Sequence, residues 1–255
     1  MRTALLACFG MAIVCPLAAA ADFQPIAPDA TSDQVLESLK TRGDTMKGFS
    51  ANVKLTNFDN ATADSHSDSG KFLFQKVGDD DARIRINFSQ RTEGSKLFPE
   101  QHEYAVSNGW VLERDYQKRV ETDRQVAKSG EKLNLLKLGQ GPFPLPVGQD
   151  PADVKKQFDV TLIAPAKDDP AATVHLLLKP KGLTDMARKF AQIDVWVDRQ
   201  NGMPDRIVTL DNTRENMATA DLTDIRLDVN LTDADFALPQ IPRSDWDVTS
   251  EPYRG

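Results

Sequence analysis

The chain has 255 residues, 38 of them acidic and 31 basic, for a formal net charge of −7, and 40% of it is hydrophobic. Such an acidic balance argues against nucleic acid as a partner. Both cysteines, Cys8 and Cys15, fall in the first twenty residues, so the remainder can hold no disulfide, thiol nucleophile or thiolate metal site.

Arg2 followed by the apolar run Thr3 to Leu17 and by Ala18-Ala19-Ala20-Ala21 reads as an export signal cleaved near Ala20 or Ala21, so residues 1–21 are expected to be absent from the mature protein. The run is short for a membrane span and Asp22 follows it directly. Cys15 lacks the preceding small residue of a lipidation site and is followed by Pro16, so no lipid anchor is expected.

Thr31 with Gln34 forms a capping box, and Val35, Leu36, Leu39 and Met46 recur at helical spacing up to Gly48. The period then changes to two: Phe49, Ala51, Val53 and Leu55 alternate with polar residues, a strand with one wet face. The polar stretch from Asp59 to Gly70 lacks the spacing of a calcium loop and is read as a mobile hairpin connection. Phe72 and Phe74, then Ile84, Ile86 and Phe88, then Tyr104 and Val106 keep the alternation, and Asn108-Gly109 is a strong hairpin turn. Val174 to Leu178, Ile193 to Val197 and the strand from Ile207 continue it. These are hairpin-linked antiparallel strands.

Between about Val120 and Phe158 the alternation breaks. Leu133, Leu135, Leu136 and Leu138 suggest a short apolar helix, and GQGPFPLPVGQDP (139–151) holds four prolines and three glycines around Phe143, Leu145 and Val147. Proline there excludes a helix interior or a central strand. Asp150-Pro151 starts a second short helix running to Phe158. The ends, residues 22–30 and the tail after Leu238, are read as loosely held.

Catalytic chemistry is sparse. His66, His102 and His175 are isolated, with no metal-ligand spacing, no nucleophile elbow, no phosphate loop and no dinucleotide fingerprint. His102 beside Glu103 and Tyr104, or acidic runs such as Asp79-Asp80-Asp81, would be needed for a hydrolase, and an enzyme is not expected. No cofactor and no metal are expected.

The order of an exported chain, an N-terminal helix ending in Gly48-Phe49-Ser50-Ala51, the Gly70-Lys71-Phe72-Leu73-Phe74 strand, the Val106-Ser107-Asn108-Gly109-Trp110 hairpin and Gly141-Pro142-Phe143 before a helical insert resembles the periplasmic outer-membrane lipoprotein carriers of the LolA type and the LolA/LolB superfamily. The resemblance implies a mainly β, α+β fold: an incomplete antiparallel β-barrel, or half-barrel, whose apolar concave face is covered by the N-terminal helix and a helical, proline-rich lid. It implies one domain over 22–238 with a C-terminal tail at 239–255. It further implies a soluble periplasmic carrier that binds acyl chains of lipoproteins or another lipid and ferries them toward the outer membrane, taking them from an inner-membrane donor complex to an outer-membrane acceptor. The lipid-binding and lid residues expected are Leu133, Leu136, Leu138, Phe143, Leu145 and Val147, with Phe72, Phe74 and Trp110 from the sheet. The family's latching arginine-proline pair is missing, and Arg83 and Arg85 are the nearest latch residues. The alternative function is a periplasmic sensor domain recognising lipid or an unfolded envelope protein.

Overall fold

The computed structural model of the protein describes residues 23–78, 81–127 and 146–253. The expected signal segment and the expected lid residues Leu133, Leu136, Leu138, Phe143 and Leu145 lie outside the described residues.

Helix α1 (Ser32–Thr45) begins at the capping box: Thr31 Oγ1 accepts from the Gln34 N–H at 3.4 Å, and the Gln34 side chain accepts from the Thr31 N–H at 2.8 Å. Its buried stripe is Val35, Leu36 and Leu39. Gly43, on the same stripe, is required by close approach: a Cβ there would overlap the Gly148 backbone. The chain is tied at this crossing, because the Gly148 N–H donates to Leu39 O at 3.0 Å.

Six strands follow, β1 (Gly48–Asp59), β2 (Ser65–Lys76), β3 (Ala82–Glu93), β4 (Lys96–Ser107), β5 (Trp110–Asp115) and β6 (Val120–Gln125). After α2 (Pro151–Gln157), capped by Asp150, come β7 (Phe158–Ile163), β8 (Thr173–Pro180), α3 (Asp185–Lys189), β9 (Phe190–Asp198), β10 (Pro204–Asp211), β11 (Asn216–Leu227), α4 (Asp233–Phe236) and β12 (Asp247–Glu251). They form one twelve-stranded sheet in the order β12-β6-β5-β4-β3-β2-β1-β11-β10-β9-β8-β7. Among the described residues its edges are β12 and β7, so the sheet is open, as an incomplete barrel requires. All pairings are antiparallel except β12 with β6. The β4–β5 turn has φ of 50° at Asn108 and 77° at Gly109, the pair of left-handed residues that a tight hairpin demands.

One face of the sheet is apolar because residues two apart share a face. Phe49, Phe74 and Ile84 lie in one row across β1, β2 and β3, and Ala51, Phe72 and Ile86 in the next. On the other side of β1, Leu55, Ala220, Ile207, Val195 and Leu176 stand in register across five strands. Phe49 meets Phe72 edge-on at 5.1 Å and stacks on Phe74 at 5.5 Å, and all three rings are buried. Helix α1 crosses the end of this face where β1 begins. Its C-terminal turn is held there by Lys76 Nζ donating to Gly43 O and by Arg42 Nε donating to Asn201 O at 2.5 Å.

Residues 23–30 and the described part of the tail after Leu238 depart from the sequence expectation of loosely held ends. Ile26 is buried and its N–H donates to Arg199 O at 2.7 Å. The tail after Leu238 crosses the outer face of β3 to β6 and ends as β12, a parallel partner of β6. Buried charge holds it. Glu103 accepts from Arg85 at 2.6 Å, Asn87 at 2.7 Å and Tyr116 at 2.9 Å, while Arg114 donates to Glu121 through both Nε, at 2.8 Å, and Nη2. Arg114 reaches Pro239 O at 2.8 Å, Arg243 reaches Glu121 at 3.2 Å, and Trp246 packs edge-on against Tyr116 at 5.2 Å. A charged cluster that solvates a strand face in isolation is here a docking surface for the chain's own tail, which sequence periodicity does not reveal.

The connection expected over 59–70 is shorter than read. Strand β2 starts at Ser65, since Asp68, Ser67 and His66 pair with Leu55, Thr56 and Asn57. Polar residues hide a strand whose face leaves the apolar core. The helix expected to run to Phe158 stops at Gln157, where Phe158 turns extended (φ −131°, ψ 147°) and enters β7.

Candidate functional site

A cavity of about 290 Å³ opens on the inner face at the end of β1 remote from α1. Leu55 and Asn57 of β1 lie in it, with Ile86, Phe88 and Tyr104 from β3 and β4 on one side and Phe190, Ile207, Thr209, Ala218 and Ala220 from β9, β10 and β11 on the other. Tyr104 on β4 and Phe190 on β9 are six strands apart in the sheet order. In a flat sheet they would be separated by about 29 Å at ~4.8 Å per strand. Lining one small cavity, they show that the sheet curls until its two arms face each other. The volume sits at the lower edge of the range for small-ligand sites, about 300–1,000 Å³.

The lining is apolar where small and large side chains face one another. Ala218 and Ala220 alternate on β11 and leave room opposite Leu55 and Asn57, their register partners. Phe88 meets Tyr104 edge-on at 6.3 Å, and His102 stacks on Tyr104 at 4.7 Å. The polar end of the cavity begins there. Glu113 accepts from the Tyr104 hydroxyl at 3.1 Å and contacts His102 Nε2 at 3.1 Å. Asn57 Nδ2 lies 3.3 Å from His66 Nε2.

Burial pushes the Tyr104 phenol up, and the Glu113 carboxylate beside it adds to the rise. The His102 contact, with the Tyr104 hydrogen bond, holds Glu113 below the usual carboxylate range against a burial effect of opposite sign. Burial works to raise Glu103 on the outer face, but the hydrogen bonds from Arg85, Asn87 and Tyr116 outweigh it and the group is held low. A depressed folded-state pKa stabilises above the unfolded value, about 4.3 for glutamate, and that contribution is lost as pH falls through the folded value. Stability is therefore expected to drop below about pH 4.3, and Glu103→Gln is expected to flatten the drop. Urea midpoints of the two proteins between neutral pH and pH 3 check this; parallel curves contradict it.

The residues expected from sequence are distributed as follows. Phe72 and Phe74 are buried in the inner-face core, between the cavity and α1. Val147 is fully buried, and its backbone lies against Gly43 of α1. Trp110 pairs with Ser107, in the strand position next to the inward Val106, so it stands on the outer face and is 36% exposed. Arg83 and Arg85 also face outward. Arg83 bonds Gln75 and Asp233 and lies 4.2 Å over the Phe236 ring, and Arg85 donates to Asp235 O and Ala237 O at 3.0 Å. Their contacts hold the C-terminal segment. Sequence reasoning misses the cavity residues Leu55, Tyr104, Phe190, Ile207, Ala218 and Ala220; the small residues Ala218 and Ala220 at alternate strand positions are the signal that could have found them. No helix among the described residues is long and apolar enough to cross a membrane, and none of their His, Asp and Glu side chains group as metal ligands.

No protein-family model and no curated protein matches the chain. Solved structures do. An uncharacterized conserved protein from Thermus thermophilus is 15% identical at a TM-score of 0.47, with 86% of this chain and 100% of that one covered. A LolA superfamily protein from Nitrosomonas europaea is 14% identical at a TM-score of 0.34, over 82% of this chain and 98% of that one. The Pseudomonas aeruginosa MucA/MucB complex contains a chain 13% identical at a TM-score of 0.44, over 82% of this chain; this chain spans 61% of that one's length. The likeness is one of fold outline.

Proposed function

We propose that this protein is a periplasmic, non-enzymatic carrier that binds an acyl chain of a lipoprotein or another lipid between the two arms of its curled sheet and ferries it toward the outer membrane. The observation that carries the proposal is the apolar cavity walled by Phe88 and Tyr104 on one arm and Phe190 and Ile207 on the other. A buried methylene contributes about 0.8 kcal/mol, so six of them supply about 5 kcal/mol, enough to hold a chain that water rejects. The proline-rich stretch 139–151 is the lid in this proposal, with Val147, locked against α1, as its fixed end. A donor complex at the inner membrane and an acceptor at the outer membrane complete the cycle.

Titration of the mature protein with a fluorescent acyl probe tests the proposal. Saturable binding, displaced by unlabelled fatty acyl chains, is expected. A linear, unsaturable signal contradicts it.

A further inference from the structure

Beside the cavity, on the strand next to Leu55, stands a carboxylate oxygen to which no neighbour donates a hydrogen bond. Asp68 stands in register with Leu55, a cavity residue, and with Arg91 on the far side, so all three share the inner face. Its Oδ1 is buried and has no hydrogen-bond partner among the described residues. Two positive groups stand at ion-pair distance but outside hydrogen-bond reach. Arg91 Nη1 is 3.8 Å from Oδ1, and His66 Nε2 is 4.0 Å from Oδ2. Arg91 turns its Nε instead to Glu93, at 2.8 Å. Tyr104 offers nothing either, since its hydroxyl donates to Glu113.

A buried carboxylate oxygen without a donor is costly, by about 1–3 kcal/mol or more for a charged group. A ligand that brings a donor to it recovers that cost, and one that brings a second carboxylate adds like-charge repulsion. We propose that the cavity mouth selects an amphiphile whose head carries N–H donors, a protonated amine above all, with Asp68 as the acceptor and the alkyl chain lying along Leu55 and Phe88. The inference rests on the acyl-chain reading above and adds the head-group class to it.

The test compares dodecylamine with dodecanoate, each below its aggregation limit, by calorimetric titration of the wild-type protein and of Asp68→Asn. High salt keeps the protein's net negative charge from attracting the amine by itself. The wild type is expected to bind the amine about tenfold or more tightly than the carboxylate. Asp68→Asn, nearly isosteric, is expected to bring the two within about threefold while its far-UV circular dichroism stays that of the wild type. Equal or tighter binding of dodecanoate by the wild type overturns the head-group inference and leaves the carrier proposal standing. So does an amine-to-carboxylate ratio that Asp68→Asn does not change. Binding of neither probe overturns both.

Discussion

Glu121→Leu is expected to lower the free energy of unfolding by about 3–5 kcal/mol, the cost of removing one partner from a buried ion pair. Glu121 is fully buried and accepts two hydrogen bonds from the Arg114 guanidinium, whose side chain is only 6% exposed. Without the carboxylate, that guanidinium remains in a dry site with Tyr116 and a single backbone carbonyl, Pro239 O, as partners. The same substitution releases Arg243 from its 3.2 Å contact and loosens the strap that β12 terminates. Against a typical total stability of about 5–15 kcal/mol the loss is large. The partner substitution separates charge from packing: Arg114→Met with Glu121→Leu is expected to recover most of the loss, because an apolar pair of similar volume needs no counter-charge. Urea unfolding of the wild type and the two variants measures it. A loss below about 1 kcal/mol in Glu121→Leu would place the pair with ordinary surface salt bridges.

Ala218→Trp is expected to abolish acyl-probe binding while leaving the fold intact. Ala218 lines the cavity from β11 and is only partly buried, so an indole there projects into open volume rather than into packed core. Excluding even two methylenes of a bound chain removes about 1.6 kcal/mol, more than a tenfold loss of affinity. Phe49→Ala is the contrast, because Phe49 is fully buried in the aromatic cluster by β2. It is expected to cost about 3–5 kcal/mol of stability, the usual cost of truncating a core phenylalanine. Far-UV circular dichroism, a urea curve and the probe titration on both variants distinguish them. Unchanged binding in Ala218→Trp would put the ligand elsewhere.

Much of the sheet was legible because alternation of apolar and polar residues states which face is buried without reference to distant partners. Phe49 to Leu55, Ile84 to Phe88 and Val174 to Leu178 each read directly as strands, and the Thr31–Gln34 box and Asn108-Gly109 fixed a helix start and a turn. The elements that escaped depend on tertiary pairing. Ser65 to Gly70 is strand because β1 and β3 flank it, although its own residues are those of a loop. The C-terminal segment is ordered because buried Glu103 and Glu121 bind arginines that in turn reach the carbonyls of Asp235, Ala237 and Pro239. The cavity was hidden for a related reason. Its walls come from β3, β4, β9, β10 and β11, brought together by curl, and its room comes from small side chains, which draw less notice than the leucines and phenylalanines of the proline-rich stretch. Trp110 shows the limit of composition: a large aromatic beside a hairpin invites a binding role, yet strand parity turns it to the outer face.

The central claim is that an acyl chain occupies the space between the two arms of the sheet. Native mass spectrometry of the mature protein, purified from its own envelope without detergent and then incubated with phospholipid vesicles, tests it most directly. The account predicts an adduct that organic extraction resolves into fatty-acyl species, present in the wild type and absent in Ala218→Trp. A bare protein mass both before and after incubation would contradict it.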